Sequence, residues 1–434
     1  MIKQTGRNYE LKKYKLAAAL AACVMVVSQL AVPNVAAAGD TIDSVQIKKY
    51  LVIKKNVTAP TVSFTYTLAS GTAIPATDTT HEIKAGPDGA VFASTGGTSM
   101  TVVFAPDDAL TPESSAPSGS TIQFATADTS DEAYVEKDIT VDLSGVTFPA
   151  AGIYRYIITE QTPEATGITY DSVNKRYIDV FVHKYDQGED DKYVAYTAIV
   201  KLNDGAPDTE GKADAATKST GFTNRYATDN LSFSKEVTGN QSSFNQYFKF
   251  TVKLTGSLST VSGDTHVKLG GVFDAKPAES MATVYDGDVM ARANSIETFD
   301  DEGESIYTKR SYVTLSQLIE GKDFYLKGGQ SISLTGLPTG MGYVVTEVEE
   351  DYTPSVEVTG DEDCSKNENS VTDSALTQNT NLAFINERSG IIPATGVAAA
   401  FALPVAALLA GIAGIVLLVL KRLKGSNDNA TEGN

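Results

Sequence analysis

Along the middle of this chain, apolar side chains recur at every second position in short runs. Val, Ile, Thr, Tyr and Phe fill Ser44–Ile53, Val62–Leu68, Tyr154–Thr159, Tyr177–His183, Tyr193–Leu202, Phe248–Leu254 and Gly342–Val348. Clusters of Gly, Asp, Asn and Ser separate them, as expected for strands joined by turns. No long amphipathic helix is predicted before residue 396. Residues 69–135, rich in Ala, Ser, Thr, Asp and Gly, read as long loops with short strands. The pattern predicts an all-β chain built as antiparallel sandwiches.

The pattern also repeats. Val45-Gln46-Ile47-Lys48-Lys49-Tyr50-Leu51 matches Leu231-Ser232-Phe233-Ser234-Lys235-Glu236-Val237, and in each copy a phenylalanine, Phe64 or Phe250, lies fifteen residues past the lysine. Tyr156-Ile157-Ile158-Thr159-Glu160 matches Tyr343-Val344-Val345-Thr346-Glu347. Each copy closes on a similar strand, Gly221-Phe222-Thr223-Asn224 and Ala383-Phe384-Ile385-Asn386. The lysine-to-glutamate separations are 111 and 112 residues. Two copies of one Ig-like domain are predicted, over residues 39–226 and 227–388.

Residues two apart on a strand share a face. Lys49 therefore lines up with Val45, Ile47 and Leu51, and Lys235 with Leu231, Phe233 and Val237. Glu160 follows Tyr156 and Ile158, Glu347 follows Tyr343 and Val345, and Asn224 and Asn386 follow Phe222 and Phe384. The same three polar residue types thus fall on core-facing stripes twice, in the same order. An isolated buried charge costs several kcal/mol, so the repetition predicts that the three meet.

The two ends carry different signals. Lys3, Arg7, Lys12, Lys13 and Lys15 precede an apolar run from Leu16 to about Val32, and Ala36-Ala37-Ala38 precedes Gly39. This predicts a secretory signal peptide over residues 1–38. Ser28, Gln29 and Pro33 interrupt a run already short for a membrane anchor. Leu20-Ala21-Ala22-Cys23 is similar to a lipoprotein box, but apolar Val24–Val27 continues past the cysteine, which favours cleavage after Ala38. At the other end, residues 397–420 are uncharged and long enough to cross a bilayer as a helix, with Lys421, Arg422 and Lys424 behind them. Immediately ahead stands Ile392-Pro393-Ala394-Thr395-Gly396, which resembles the cell-wall sorting signal cut by sortase, with Ile where Leu is usual. Pro393 holds Ile392 extended for an enzyme groove.

Charge and cysteine content narrow the picture further. The chain carries −19 overall; the leader contributes +4 and the residues after Gly396 contribute +1, leaving −24 between them. That acidity disfavours nucleic acid and anionic lipid as partners. Cys364 is the sole cysteine after leader removal, so an intrachain disulfide is impossible and another stabilising device is expected.

The strand-end motifs resemble the streptococcal pilin isopeptide-linkage domain family, found in T-antigen-type backbone pilins of Gram-positive bacteria. Lys327-Gly328-Gly329-Gln330-Ser331-Ile332 and Leu337-Pro338-Thr339-Gly340 in the second domain add to the likeness. The resemblance implies intramolecular isopeptide bonds Lys49–Asn224 and Lys235–Asn386, assisted by Glu160 and Glu347. Burial depresses a lysine pKa and raises that of a glutamate, which suits a neutral amine attacking an amide polarised by a carboxylic acid. It also implies a backbone pilin that is secreted, polymerised with copies of itself by sortase, linked to peptidoglycan at the cell surface and accompanied by ancillary pilins. The intersubunit acceptor implied is Lys218, six residues before Asn224, with Lys212 and Lys201 behind it.

A monomeric wall-anchored adhesin or ancillary pilin would share these ends. No Asp-x-Ser-x-Ser metal site appears, however, and Cys364 lacks the adjacent Gln of a thioester. Enzymatic turnover, a cofactor and a metal are not expected: His81, His183 and His266 stand in unlike contexts without triad or ligand spacing. Asp300-Asp301-Glu302 and Asp361-Glu362-Asp363 lack the EF-hand pattern and read as solvated loops.

Overall fold

The computed structural model describes residues 41–111, 116–125, 131–185, 192–207, 217–274, 294–299, 305–361 and 363–390. The leader, Ile392–Gly396, the apolar span 397–420, Lys212 and the Asp300–Glu302 cluster lie outside the described residues. The strands up to Thr238 and from Ser242 to Glu387 form one compact unit, while Gly239–Gln241 and residues 388–390 belong to a second. In the second, Gln241 donates its amide to the Arg388 carbonyl at 3.0 Å and Gly390 donates to Asn240 Oδ1 at 2.9 Å.

Four main sheets build the large unit. In the first pair, one sheet runs Val91–Phe92, Glu132–Asp142, Ser44–Lys54, Gly221–Tyr226, Ile168–Thr169. Its companion runs Lys192–Lys201, Lys175–Tyr185, Gly152–Glu160, Val62–Ser70, Ser99–Phe104. The second pair repeats the scheme. Thr228–Thr238 lies between Ser331–Pro338 and Thr380–Glu387, and Phe248–Thr255 lies beside Gly342–Glu347 in the opposing sheet. The described helix Leu315–Glu320 is one short element, started by Thr314, whose side chain accepts the Gln317 amide.

Alternation along the strands explains the layers. In Ser44–Lys54, Val45, Ile47, Lys49 and Leu51 turn inward; in Thr228–Thr238, Leu231, Phe233, Lys235 and Val237 do so. Phe64, Phe104, Phe222, Phe233, Phe250 and Phe384 fill the space between sheets as part of one continuous apolar core.

Most pairings are antiparallel, but the pairing that matters most is not. The first strand of each sandwich runs parallel to its closing strand, with Lys49 opposite Phe222 and Leu51 opposite Asn224, and with Lys235 opposite Phe384 and Val237 opposite Asn386. Alternation alone cannot reveal this direction, because both directions bury the same stripe. Ala227 alone separates the closing strand Gly221–Tyr226 from the opening strand Thr228–Thr238. Its amide donates to Gly167 at 2.7 Å and its carbonyl accepts from Thr339 at 3.0 Å, which ties the junction to both sandwiches.

The parallel seam depends on one glycine. A Cβ at Gly221 would sit 1.8 Å from the Lys48 carbonyl oxygen, which is backbone and has nowhere to go. Gly221→Ala should therefore lower stability by about 1–3 kcal/mol, as overpacking does. Gly97→Ala, whose nearest neighbour would be a side-chain oxygen at 3.8 Å, should stay within about 0.5 kcal/mol of wild type in the same thermal melts.

Candidate functional site

Both predicted triads come together, each buried between two sheets. Lys49 leaves the first strand, Asn224 the adjacent closing strand two positions along, and Glu160 the end of a strand in the facing sheet. Glu160 Oε1 lies 2.7 Å from Lys49 Nζ and accepts Asn224 Nδ2 at 2.9 Å. In the second sandwich Glu347 Oε1 lies 2.8 Å from Lys235 Nζ and accepts Asn386 Nδ2 at 2.7 Å, while its Oε2 takes a second contact from Lys235 at 3.1 Å. All six side chains are almost fully buried. One carboxylate oxygen therefore touches the amine and the amide nitrogen together, in both sites.

An aromatic ring lies against each amine. Lys49 Nζ stands 4.4 Å from the centre of the Phe64 ring, and Lys235 Nζ 4.5 Å from that of Phe248. Burial lowers the Lys49 ammonium to a pKa of about 8, with the Glu160 carboxylate opposing the shift, and lowers Lys235 to about 8 against Glu347. Burial pushes Glu347 upward, and Lys235 holds it back.

The two sites differ in ways that the repeat concealed. In the first, Tyr66 donates its hydroxyl to Glu160 Oε1 at 2.8 Å, and the Asp171 main-chain N–H donates to Asn224 Oδ1 at 2.9 Å. Phe250, which carries no hydroxyl, occupies the place of Tyr66 in the second sandwich, lying opposite Glu347 as Tyr66 lies opposite Glu160. Matching the strands by distance from the lysine sets Phe250 against Phe64 instead and passes over Tyr66. Asn386 Oδ1 and Glu160 Oε2 are buried without a hydrogen-bond partner among the described residues. The hydrogen bonds show which end of the amide each glutamate meets. In both sites its oxygen meets the amide nitrogen, and in the first a backbone N–H meets the oxygen.

The polar, small-residue stretch 203–217 ahead of Lys218 reads from the sequence as an accessible loop, but Lys218 itself is covered. It is 9 % exposed and forms an isolated bridge with Lys201. Backbone pairing causes this: Ser219 donates to Val200 at 2.9 Å and Leu202 to Thr217 at 2.8 Å, drawing the segment onto a sheet edge. Lys201 is occupied, its amine 2.8 Å from Asp179, which Arg155 grips at 2.6 and 2.8 Å. Asp361 is not a solvated loop residue either. It is buried beside Asp373, whose carboxyl is raised by burial and by Asp361.

The depressed lysines give a pH signature. In a double variant Asn224→Ala/Asn386→Ala, no amide can react and both amines remain. The folded state then binds fewer protons than the unfolded chain between about pH 8 and the ordinary lysine pKa near 10.4. Stability should rise with pH from about 8 upward in that variant, and the full penalty should be present below about 8. Adding Lys49→Met and Lys235→Met should flatten the rise in melts followed against pH.

Comparison with known proteins adds relatives. Residues 229–388 match the family model described as a domain of unknown function, DUF7601. A protein of Streptococcus pyogenes serotype M1 named "Pilin" is 27% identical over 289 residues, covering 65% of this chain and 71% of the relative. Among solved structures, the major pilin T3.2 of S. pyogenes is 22% identical with a TM-score of 0.46, covering 80% of this chain and 99% of that one. Another major pilin from S. pyogenes is 19% identical with a TM-score of 0.47, over the same shares. The chain is a sequence relative of a streptococcal pilin, in agreement with the family that its strand-end motifs resemble.

Proposed function

We propose that this protein is a backbone pilin subunit whose two sandwiches each close with a self-generated Lys–Asn isopeptide bond. The observation that carries the reading is the shared carboxylate oxygen, 2.7 Å from the Lys49 amine and 2.9 Å from the Asn224 amide nitrogen, and its repetition around Glu347. An amine whose pKa burial lowers to about 8 offers more of the nucleophilic free base than an exposed lysine, and an oxygen touching both nitrogens can carry a proton from the attacking amine to the departing ammonia. Reactants fixed in place need no bimolecular encounter. Each site turns over once, so the protein is a substrate of its own fold and not an enzyme.

The strand order supports a mechanical role. Tension entering at Lys218 would run along Gly221–Tyr226 past Asn224, where the Lys49 cross-link ties the opening strand to it, pass through Tyr226-Ala227-Thr228, reach Lys235, cross to Asn386 and leave beyond Arg388. The rest of both sandwiches would hang outside that path. Covalent closure of so long a loop adds about 5 kcal/mol by analogy with disulfides. Sortase would cleave between Thr395 and Gly396, pass the threonine carbonyl to Lys218 of the next subunit, and finally to peptidoglycan at the cell surface, with ancillary pilins as further partners. Lys218 is buried, so this transfer requires the Thr217–Ser219 edge to open.

Intact mass tests the internal bonds. Residues 40–388 should weigh about 34 Da less than their sequence, about 17 Da for each ammonia released. Glu160→Ala and Glu347→Ala should each restore about half, and an unmodified mass would overturn the cross-linking. For assembly, immunoblots of wall extracts should give a ladder of covalent multimers that Thr395→Ala abolishes. Tandem mass spectrometry should find Thr395 joined to Lys218. A single wall-linked band would favour a monomeric adhesin.

A further inference from the structure

We infer that the main-chain N–H of Asp171 is the oxyanion donor for bond formation in the first sandwich, and that it fixes which end of the Asn224 amide leaves. This rests on the cross-linking chemistry proposed above. A backbone N–H can only donate, so the atom 2.9 Å from it must be Asn224 Oδ1. That choice turns Nδ2 toward Glu160 Oε1, the oxygen already on the Lys49 amine. Nucleophile, proton carrier and leaving group then stand in sequence.

The donor is held stiffly. Asp171 Oδ2 accepts Thr121 Oγ1 at 2.6 Å, the Thr223 amide at 2.9 Å and Arg176 Nη2 at 2.6 Å, and its Oδ1 accepts the Val173 amide at 3.0 Å. Arg176 is itself fully buried, 4.4 Å from the centre of the Phe222 ring, and its Nε donates to Ser219 and to the Gly221 carbonyl at 2.9 and 2.7 Å. Burial raises the Asp171 carboxyl, but Arg176 and these donors outweigh it and leave its pKa low, so the anchor stays ionised. Thr223 is the residue before Asn224. The network thus clamps the donor and the reacting side chain to each other.

The chemistry balances simply. Lys49 Nζ bonds to Asn224 Cγ, and the electron pair of the C=O moves onto Oδ1, where the Asp171 N–H already points. Glu160 takes a proton from the amine and delivers it to Nδ2. The Cγ–Nδ2 bond breaks, the carbonyl re-forms and ammonia departs. A cleft of about 550 Å³ lined by Thr121, Tyr170, Asp171, Thr223 and Asn224 gives it an exit. Asn386 Oδ1 has no such donor among the described residues, so the second site serves as an internal reference.

The test compares two variants at one position. Asp171→Ala keeps the N–H and loses the side chain; Asp171→Pro loses both. Denatured, uncross-linked chain is refolded by dilution, and ammonia loss at Asn224 and at Asn386 is followed separately by peptide mass. Relative to Asp171→Ala, Asp171→Pro should slow the first bond about 100-fold, the usual effect of removing an oxyanion donor, and leave the second unchanged. Melts of both variants in a Glu160→Ala background, where no first bond forms, report folding independently. Equal rates in two folded variants would overturn the inference. Should Asp171→Pro fail to fold, hydrogen exchange decides. The Asp171 amide should be protected in Glu160→Ala and lose protection when Asn224→Ala is added, and an amide unprotected in Glu160→Ala would overturn it. A wild-type chain that never loses ammonia at Asn224 would instead refute the underlying cross-linking.

Discussion

A lysine amine buried against a phenylalanine ring is cut off from water, and the structure surrounding Lys49 and Lys235 answers that deficit. Among the described residues each amine has a single carboxylate within hydrogen-bond reach, and that carboxylate is as deeply buried as the amine. Removing one member of such a pair leaves an uncompensated buried charge, whereas keeping the pair is at best a modest net gain over an apolar core. Stability alone therefore gives little reason to place two of them between sheets. A reason appears once the asparagine is included, since a desolvated amine beside an amide is chemically poised.

The position of that triad follows from strand order more than from local geometry. Only because the opening and closing strands are neighbours, and parallel, do Lys49 and Asn224 share a face two residues apart. Glu160 then has to come from the other layer, and it does so at the end of its strand, where the Glu160 amide donates to the Asn174 carbonyl at 2.8 Å. The second sandwich repeats the logic at Glu347, whose amide donates to Asn369 at 2.9 Å. Two sites with unrelated surroundings have kept the same three-way contact.

Those surroundings are unequal. The first sandwich buries three further ion pairs, Arg176–Asp171 and the two of the Arg155–Asp179–Lys201 cluster, fastened to loops by side-chain donors. Arg155 also donates to the carbonyls of Asp204 and Gly205, and Arg176 to those of Val173 and Lys175, so both cations serve main-chain carbonyls as well as a carboxylate. Buried charge here orders the irregular chain that the long loops of this domain require.

The sequence determined the strands, their inward faces and the two-fold repeat, because side-chain alternation has a period that a strand must obey. It also made the triads legible, since Lys49, Glu160 and Asn224 break apolar stripes at places that Lys235, Glu347 and Asn386 break again. Tertiary structure decided what alternation cannot encode. The parallel direction of the closing strands buries the same residues as the antiparallel one would; Tyr66 joins the first site where the second has Phe250, and Asp171 and Arg176 join it from outside the repeated motifs. Lys218 shows the same limit from the other side: a polar, small-residue stretch predicts exposure, but backbone pairing with Val200 and Leu202 draws it under cover. A main-chain N–H that orients an amide leaves no mark on residue identity, so the Asp171 contact with Asn224 could be found only by folding the chain.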